Sequence, residues 1–262
     1  MSNDKPVFDP DDDPEQVSAA ERAAAAQREP LGEDDLIRSE IPPAREIPVP
    51  RDAATLIMYR LDDNQPRILM GCRSAGHDFM PNKYVFPGGR VDEDDLLVPS
   101  LSELRPEEET AIRYRTERAP RAFPLTAVRE VYEETGLIVG RAADIGRDVP
   151  ADWAEYFGHG VAPCLHGFTF VGRAITPPMR HKRFDARFFM ADAADCLIDD
   201  RPPVDGRELA DLRWFTLAEA AALDLPNVTR FVISEIEARL RREALRPFFL
   251  RWEDGGHIRE RI

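Results

Sequence analysis

At 262 residues, 43 % apolar and 32 % charged, the chain has a globular composition with room for one large or two small domains that need no metal or disulfide to fold. Its formal charge of −14, from 49 acidic against 35 basic residues, argues against sequence-independent nucleic-acid binding, which needs clustered Lys and Arg. No apolar run approaches the roughly 18 residues of a membrane span, no signal-peptide core opens the sequence, and Cys72, Cys164 and Cys196 lack the paired spacing of a disulfide framework or thiolate metal site. The expectation is a cytoplasmic enzyme or binding protein without membrane contact, with a homodimer left open.

Residues 1–50 hold eight of the 23 prolines and 13 acids against five bases, so a disordered acidic arm is expected there. Order is expected from Ala53. AATLIMYR and RILMGCR read as two β runs joined by the turn-like LDDNQP, and YVF as a third that ends in Pro87-Gly88-Gly89, a sharp turn with close backbone approach. A charged, proline-flanked stretch over about 96–123 looks like an insertion, with one surface helix from about Pro106 to Arg118. PLTAVREVYEETG then reads as a helix stopped by Gly136, and LIVG as β-like.

Further on, HGFTFVGRAIT, RFDARFFMA and DLRWFT read as strands, and TLAEAAALDL and NVTRFVISEIEARLRREAL as helices of period 3.6. The fold class expected is α/β (α+β): one mixed sheet sandwiched between helices over 51–243, with a C-terminal tail, 244–262, packing on the domain or on a partner.

The chemistry is concentrated in Arg129-Glu130-Val131-Tyr132-Glu133-Glu134-Thr135-Gly136-Leu137. On a helix, Glu130, Glu133 and Glu134 stand at i, i+3 and i+4 and share one face within about 100°. Leu125, Val128, Val131, Tyr132 and Thr135 take the opposite arc and can face a core. Three clustered carboxylates repel unless a cation compensates them, and hard oxygen ligands suit Mg²⁺ or Mn²⁺; a solvated acidic face with a salt bridge is the competing reading. Arg129 is spaced to orient Glu133.

This stretch resembles the signature of the Nudix hydrolases, whose second half it matches throughout, while Phe86-Pro87-Gly88-Gly89 matches the segment that opens the signature. Between the halves lie 33 residues, Leu96 to Val128, where the signature has seven, and the first-half acid falls on Asp95 instead of Glu, which leaves open which of Asp92, Glu93, Asp94 and Asp95 takes that role. The resemblance implies a divalent metal bridging a diphosphate, with Glu130, Glu133, Glu134 and the Gly88 carbonyl as ligands and Arg129 as the orienting arginine. The resemblance also implies a general base, with one of the helix glutamates or Glu208 as the candidate.

LMGCRSAGHDFMPNKYVFPGG resembles the motif of coenzyme A diphosphatases in that family, with Asp78, Asn82 and Gly71 in place of its internal Arg, Gly and Thr. ITPPMRHKRFDARFFMA and the insertion resemble the branch of the acyl-CoA diphosphatases. Arg73, Ser74, Phe86, Gly88 and Gly89 are thereby candidate substrate contacts. The substrate implied is a small nucleoside diphosphate derivative such as CoA or acyl-CoA. A non-catalytic nucleotide sensor, or a hydrolase of NADH, ADP-ribose or RNA ends, is the alternative.

Overall fold

The computed structural model describes residues 47–76, 80–145 and 149–262. The expected acidic arm lies outside the described residues except for its last four positions.

The sheet begins with a hairpin. Strands β1 (Arg51–Asp62) and β2 (Gln65–Arg73) pair antiparallel across Asp63 and Asn64, both at positive φ, the geometry of a two-residue type I′ turn that Asp and Asn tolerate. β1 is central because it is apolar on both faces. Ala54, Leu56 and Met58 enter one core and Ile57 the other, all at most 1 % exposed, which is why its sequence reads as a continuous apolar run rather than an alternation.

Around β1 the main sheet has nine strands among the described residues. β3 (Tyr84–Val85) and β9 (Leu209–Thr216) pair with β2, while β4 (Gly88–Arg90) pairs with β1 at Ala53 to Thr55. On the other side β8 (Phe184–Asp192) runs parallel to β1, and β7 (Thr169–Ile175) runs antiparallel to β8. β10 (Phe248–Glu253) and β11 (Gly256–Arg261) then extend the sheet beside β7. The C-terminal segment is therefore a hairpin of this sheet and runs past the expected boundary at 243. A short pair, β5 (Arg141–Ala142) with β6 (Val161–Ala162), stands apart.

Helices cover both faces. α2 (Ala122–Thr135) lays Phe123, Leu125, Val128 and Val131 on the first core, and α6 (Asn227–Leu240) lays Val232, Ile233 and Ile236 on the second. Fully burying each such side chain is worth about 1.5–3 kcal/mol. The helix over TLAEAAALDL is short, α5 (Leu217–Ala221), opened by a capping box of Thr216 and Glu219. LIVG forms no regular strand: Val139 makes a single bridge with Leu197, although Leu137, Ile138 and Val139 are buried.

The insertion is part of the body. Val98, Leu104 and Ile112 join the first core, and Glu108 of α1 (Pro106–Ile112) accepts the Phe170 N–H at 2.8 Å. The helix stops six residues before the expected Arg118 because β7 captures the following backbone: Arg173 donates to the carbonyls of Tyr114 and Arg115 at 2.9 and 3.0 Å, with Arg115 at φ 51°. Arg118 and the fully buried Arg187 meet at Asp52 with distances of 2.6 and 2.8 Å, and the Arg187 guanidinium lies over the Phe123 ring. The fold thus holds both ends of the insertion close to α2.

Candidate active site

The amphipathic reading of α2 holds in three dimensions. It ends on Gly136 in the left-handed conformation, φ 70°, whose N–H returns to the Tyr132 carbonyl at 2.8 Å. Its acidic face carries a gradient of exposure, with Glu134 buried, Glu130 half-buried and Glu133 exposed.

Strand β4 runs directly against this face. A Cβ on Gly89 would sit 2.4 Å from the Glu130 carboxyl, so a side chain there would displace that glutamate, and the Gly88 N–H donates to Glu134 Oε2 at 2.8 Å. The two glycines therefore place a backbone turn on top of two carboxylates. The Phe86 side chain is 4 % exposed and packs in the second core, where it seats the turn.

Arg129 organises the cluster from within. Its Nη1 donates to Glu130 Oε1 at 3.0 Å and to Glu133 Oε2 at 3.1 Å, and its Nη2 donates to the Arg90 carbonyl at 2.9 Å. The other edge of the guanidinium is gripped by Asp95, with Nε to Oδ1 at 2.9 Å and Nη2 to Oδ2 at 3.1 Å. Of the four acids left open by the sequence, Asp95 is the one buried against Arg129. It is 1 % exposed and also accepts from Thr126 Oγ1 at 2.7 Å, Trp153 Nε1 at 3.0 Å and the Asp92 N–H at 3.0 Å.

The electrostatics follow from this packing. Burial alone would raise the Asp95 carboxyl, but the hydrogen bonds and charge of Arg129, with Thr126 and the Asp92 N–H, hold it below the usual range. Burial likewise works against the Arg129 charge, yet Asp95, Glu130 and Glu133 push its pKa above the ordinary value. On the carboxylate face burial wins. It drives Glu130 up to about 7, with Glu133 and Glu208 adding repulsion against Arg129. Glu134 is raised well above the usual range by burial and by Glu130, against the Gly88 N–H and Arg73, and Glu133 is raised by burial, with Asp95 and Asp152 opposing Arg129.

Arg73 and Glu208 face this cluster from the ends of β2 and β9. Burial lowers the Arg73 pKa, and the charges of Glu134, Glu208 and Glu130 partly restore it. The Ser74 N–H donates to the Glu208 carbonyl at 3.0 Å, tying the exposed Glu208 to the end of β2. The sequence-predicted residues Arg73, Ser74, Gly88, Gly89, Arg129, Glu130, Glu133, Glu134 and Glu208 are thereby brought to one end of the sheet. Trp153 was not foreseen, because nothing in PADWAEYF marks it as a partner of a carboxylate 58 residues away.

A divalent cation fits this donor set. Arg129 spans only two of the three carboxylates, burial raises the pKa of all three, and all the donors are hard oxygens. Among the described residues no three such side chains already converge as a metal cage; Glu130 and Glu133 are drawn toward Arg129 instead.

The mixed sheet between helices, carrying RE-apolar-xEE-x-G on a helix against a Gly-Gly turn, defines the Nudix class of fold. A solved structure, a Nudix hydrolase from Alicyclobacillus acidocaldarius, superposes with a TM-score of 0.54 at 23 % identity, covering 72 % of this chain and 91 % of that one. No family model matches the chain. Nudix hydrolase 7 of Caenorhabditis elegans is 26 % identical, with 63 % of this chain and 50 % of that protein covered. Acyl-coenzyme A diphosphatase NUDT19 of Gallus gallus is also 26 % identical, with 56 % and 53 % covered. The chain spans about half the length of these curated relatives. The chain is thus similar in sequence to a Nudix hydrolase and to an acyl-coenzyme A diphosphatase, and similar in fold to Nudix hydrolases.

Proposed function

We propose that the chain is a divalent-metal-dependent pyrophosphohydrolase that cuts the diphosphate bond of a nucleoside diphosphate derivative, with CoA or an acyl-CoA as substrate. The observation that carries the reading is the acidic face of α2: Glu130, Glu133 and Glu134 gathered against the Gly88-Gly89 turn and backed by the Arg129–Asp95 pair. The choice of CoA rests on the similarity to acyl-coenzyme A diphosphatase NUDT19 and on the resemblance of Leu69 to Gly89 to the coenzyme A motif.

Mg²⁺ or Mn²⁺ held by Glu130, Glu133, Glu134 and the Gly88 carbonyl would lower the pKa of a water and offset phosphate charge. The chain's own residues do the rest. The Gly88 N–H fixes the rotamer of Glu134, Arg129 fixes Glu130 and Glu133, and Arg73 presents a cation to the diphosphate. A carboxylate, Glu208 or a helix glutamate, takes the proton of the water whose oxygen bonds to phosphorus. The phosphorus–oxygen anhydride bond breaks and its electron pair leaves with the departing phosphate.

The test is a panel of CoA, acyl-CoA, NADH, ADP-ribose, dinucleoside polyphosphates and nucleotide sugars, each with Mg²⁺ and Mn²⁺. Metal-dependent release of 3′,5′-ADP from CoA or its thioesters is expected. Turnover of another compound with none on CoA thioesters refutes the substrate, and tight nucleotide binding without turnover of any compound refutes the activity.

A further inference from the structure

Asp95 holds the guanidinium that positions two of the three helix glutamates, so whatever fixes Asp95 acts on the site. Oδ2 is set by three donors, Thr126 Oγ1, the Asp92 N–H and Arg129 Nη2. Oδ1 receives two, Arg129 Nε at 2.9 Å and Trp153 Nε1 at 3.0 Å. Among the described residues, the indole N–H is thus the one donor that holds Oδ1 independently of the arginine it must orient. Trp153 is itself immobilised: it has no exposed surface, meets the Tyr156 ring edge-on at 5.2 Å between centroids, and lies against Phe157.

We infer that Trp153 is a positioning residue of the carboxylate site, acting by its Nε1–H through Asp95 on Arg129 and thereby on Glu130 and Glu133. The inference rests on the pyrophosphohydrolase reading. Without the indole N–H, Oδ1 is left to Arg129 alone and the carboxylate can pivot about the Oδ2 held by Thr126 and the Asp92 N–H. The guanidinium then shifts along its own plane, and the Nη1 that stands 3.0 Å from Glu130 and 3.1 Å from Glu133 leaves the position from which it holds both. The chain separation of the three parts makes this a tertiary device: Asp95 follows β4, Arg129 sits mid-helix, and Trp153 comes from a 3₁₀ turn, Ala151–Trp153, ahead of α3 (Ala154–Gly158).

The experiment compares the full chain with Trp153→Phe, which keeps a ring and removes the donor, and with Tyr156→Phe, which disturbs the same aromatic cluster by removing the Tyr156 hydroxyl bond to the Val139 carbonyl but leaves Asp95 untouched. Mn²⁺ binding, followed by electron paramagnetic resonance, is read beside kcat, KM and Tm. Removing such an outer hydrogen bond typically costs about 10–100-fold, so Trp153→Phe should weaken Mn²⁺ binding and lower kcat by about 10-fold with KM within about two-fold, whereas Tyr156→Phe should lower Tm alone. In an Asp95→Asn background Trp153→Phe should add little, since both act through one group. Mn²⁺ affinity and kcat of the parent in Trp153→Phe, or full additivity with Asp95→Asn, overturns the inference. A parent that binds no Mn²⁺ refutes the function instead.

Discussion

Replacing Asp95 by Ala removes the buried carboxylate that grips Nε and Nη2 of Arg129, leaving on that edge the Arg90 carbonyl and the more distant Asp92. The side chain is 1 % exposed and accepts five hydrogen bonds, two of them from an arginine side chain that is 6 % exposed. Deleting one member of a buried, hydrogen-bonded ion pair costs about 3–5 kcal/mol, because the remaining charge is left in a medium that cannot solvate it. Glu130 and Glu133 stay beside Arg129 and keep the cost at the lower end. At roughly 2–4 °C per kcal/mol for a chain of this size, Tm should fall by about 6–12 °C. The loss should change little between low and high salt, since the pair is buried. Differential scanning calorimetry of parent and variant, metal-free at pH 7.5, measures it. A fall under 2 °C would mean that Asp95 does not carry the Arg129 charge, and the geometry assigned to the site would have to be abandoned.

Four further outcomes follow from the same geometry. Gly89→Ala puts a Cβ 2.4 Å from the Glu130 carboxyl; the glutamate must swing off Arg129, so metal-dependent turnover should drop about 10–100-fold while calorimetry finds the chain folded. The Glu130 carboxyl, raised to about 7 by burial, binds its proton more tightly folded than unfolded, so its contribution is complete below the ordinary carboxylate range and is lost as pH rises toward 7. Metal-free protein should therefore be less stable at pH 8 than at pH 6 by about 1 kcal/mol, a difference that Glu130→Gln should shrink; stability that rises over this window contradicts the burial argument. Added Mg²⁺ should raise Tm more at pH 8 than at pH 6, because its ligands must be deprotonated. Asp52→Ala unfastens Arg118 and Arg187, and limited proteolysis should then cut faster within 113–121; an unchanged digestion pattern would show that the insertion is held by its apolar residues alone.

The core of the site was legible because a helix displays its chemistry at fixed spacing: Glu130, Glu133 and Glu134 follow from i, i+3, i+4 alone, and the hairpin of β1 and β2 from its Asp-Asn turn. What was not legible depends on burial set by distant segments. Four consecutive acids at 92–95 look alike in sequence, and only the packing of Thr126, Arg129 and Trp153 singles out Asp95. Phe86 precedes the Pro87-Gly88-Gly89 turn in sequence, yet its ring is buried in the second core. The C-terminal hairpin did leave a signal, Asp254-Gly255 between FFLRWE and GHIRER. Both residues adopt positive φ, 51° and 80°, as a type I′ turn requires, but the Arg-rich composition around it hid the alternation. The helix expected to reach Arg118 fails for a reason no propensity contains, the capture of its would-be carbonyls by Arg173.

The central claim is that the three glutamates of α2 carry metal-dependent cleavage of a phosphoanhydride. It is tested most directly by ³¹P NMR of CoA or an acyl-CoA incubated with Mg²⁺ and either the parent or Glu133→Gln, whose amide keeps the shape of the side chain. The account predicts loss of the diphosphate resonances with the parent and at least about 100-fold slower loss with the variant, at an unchanged Tm. A folded Glu133→Gln protein that cleaves at the parental rate would contradict it.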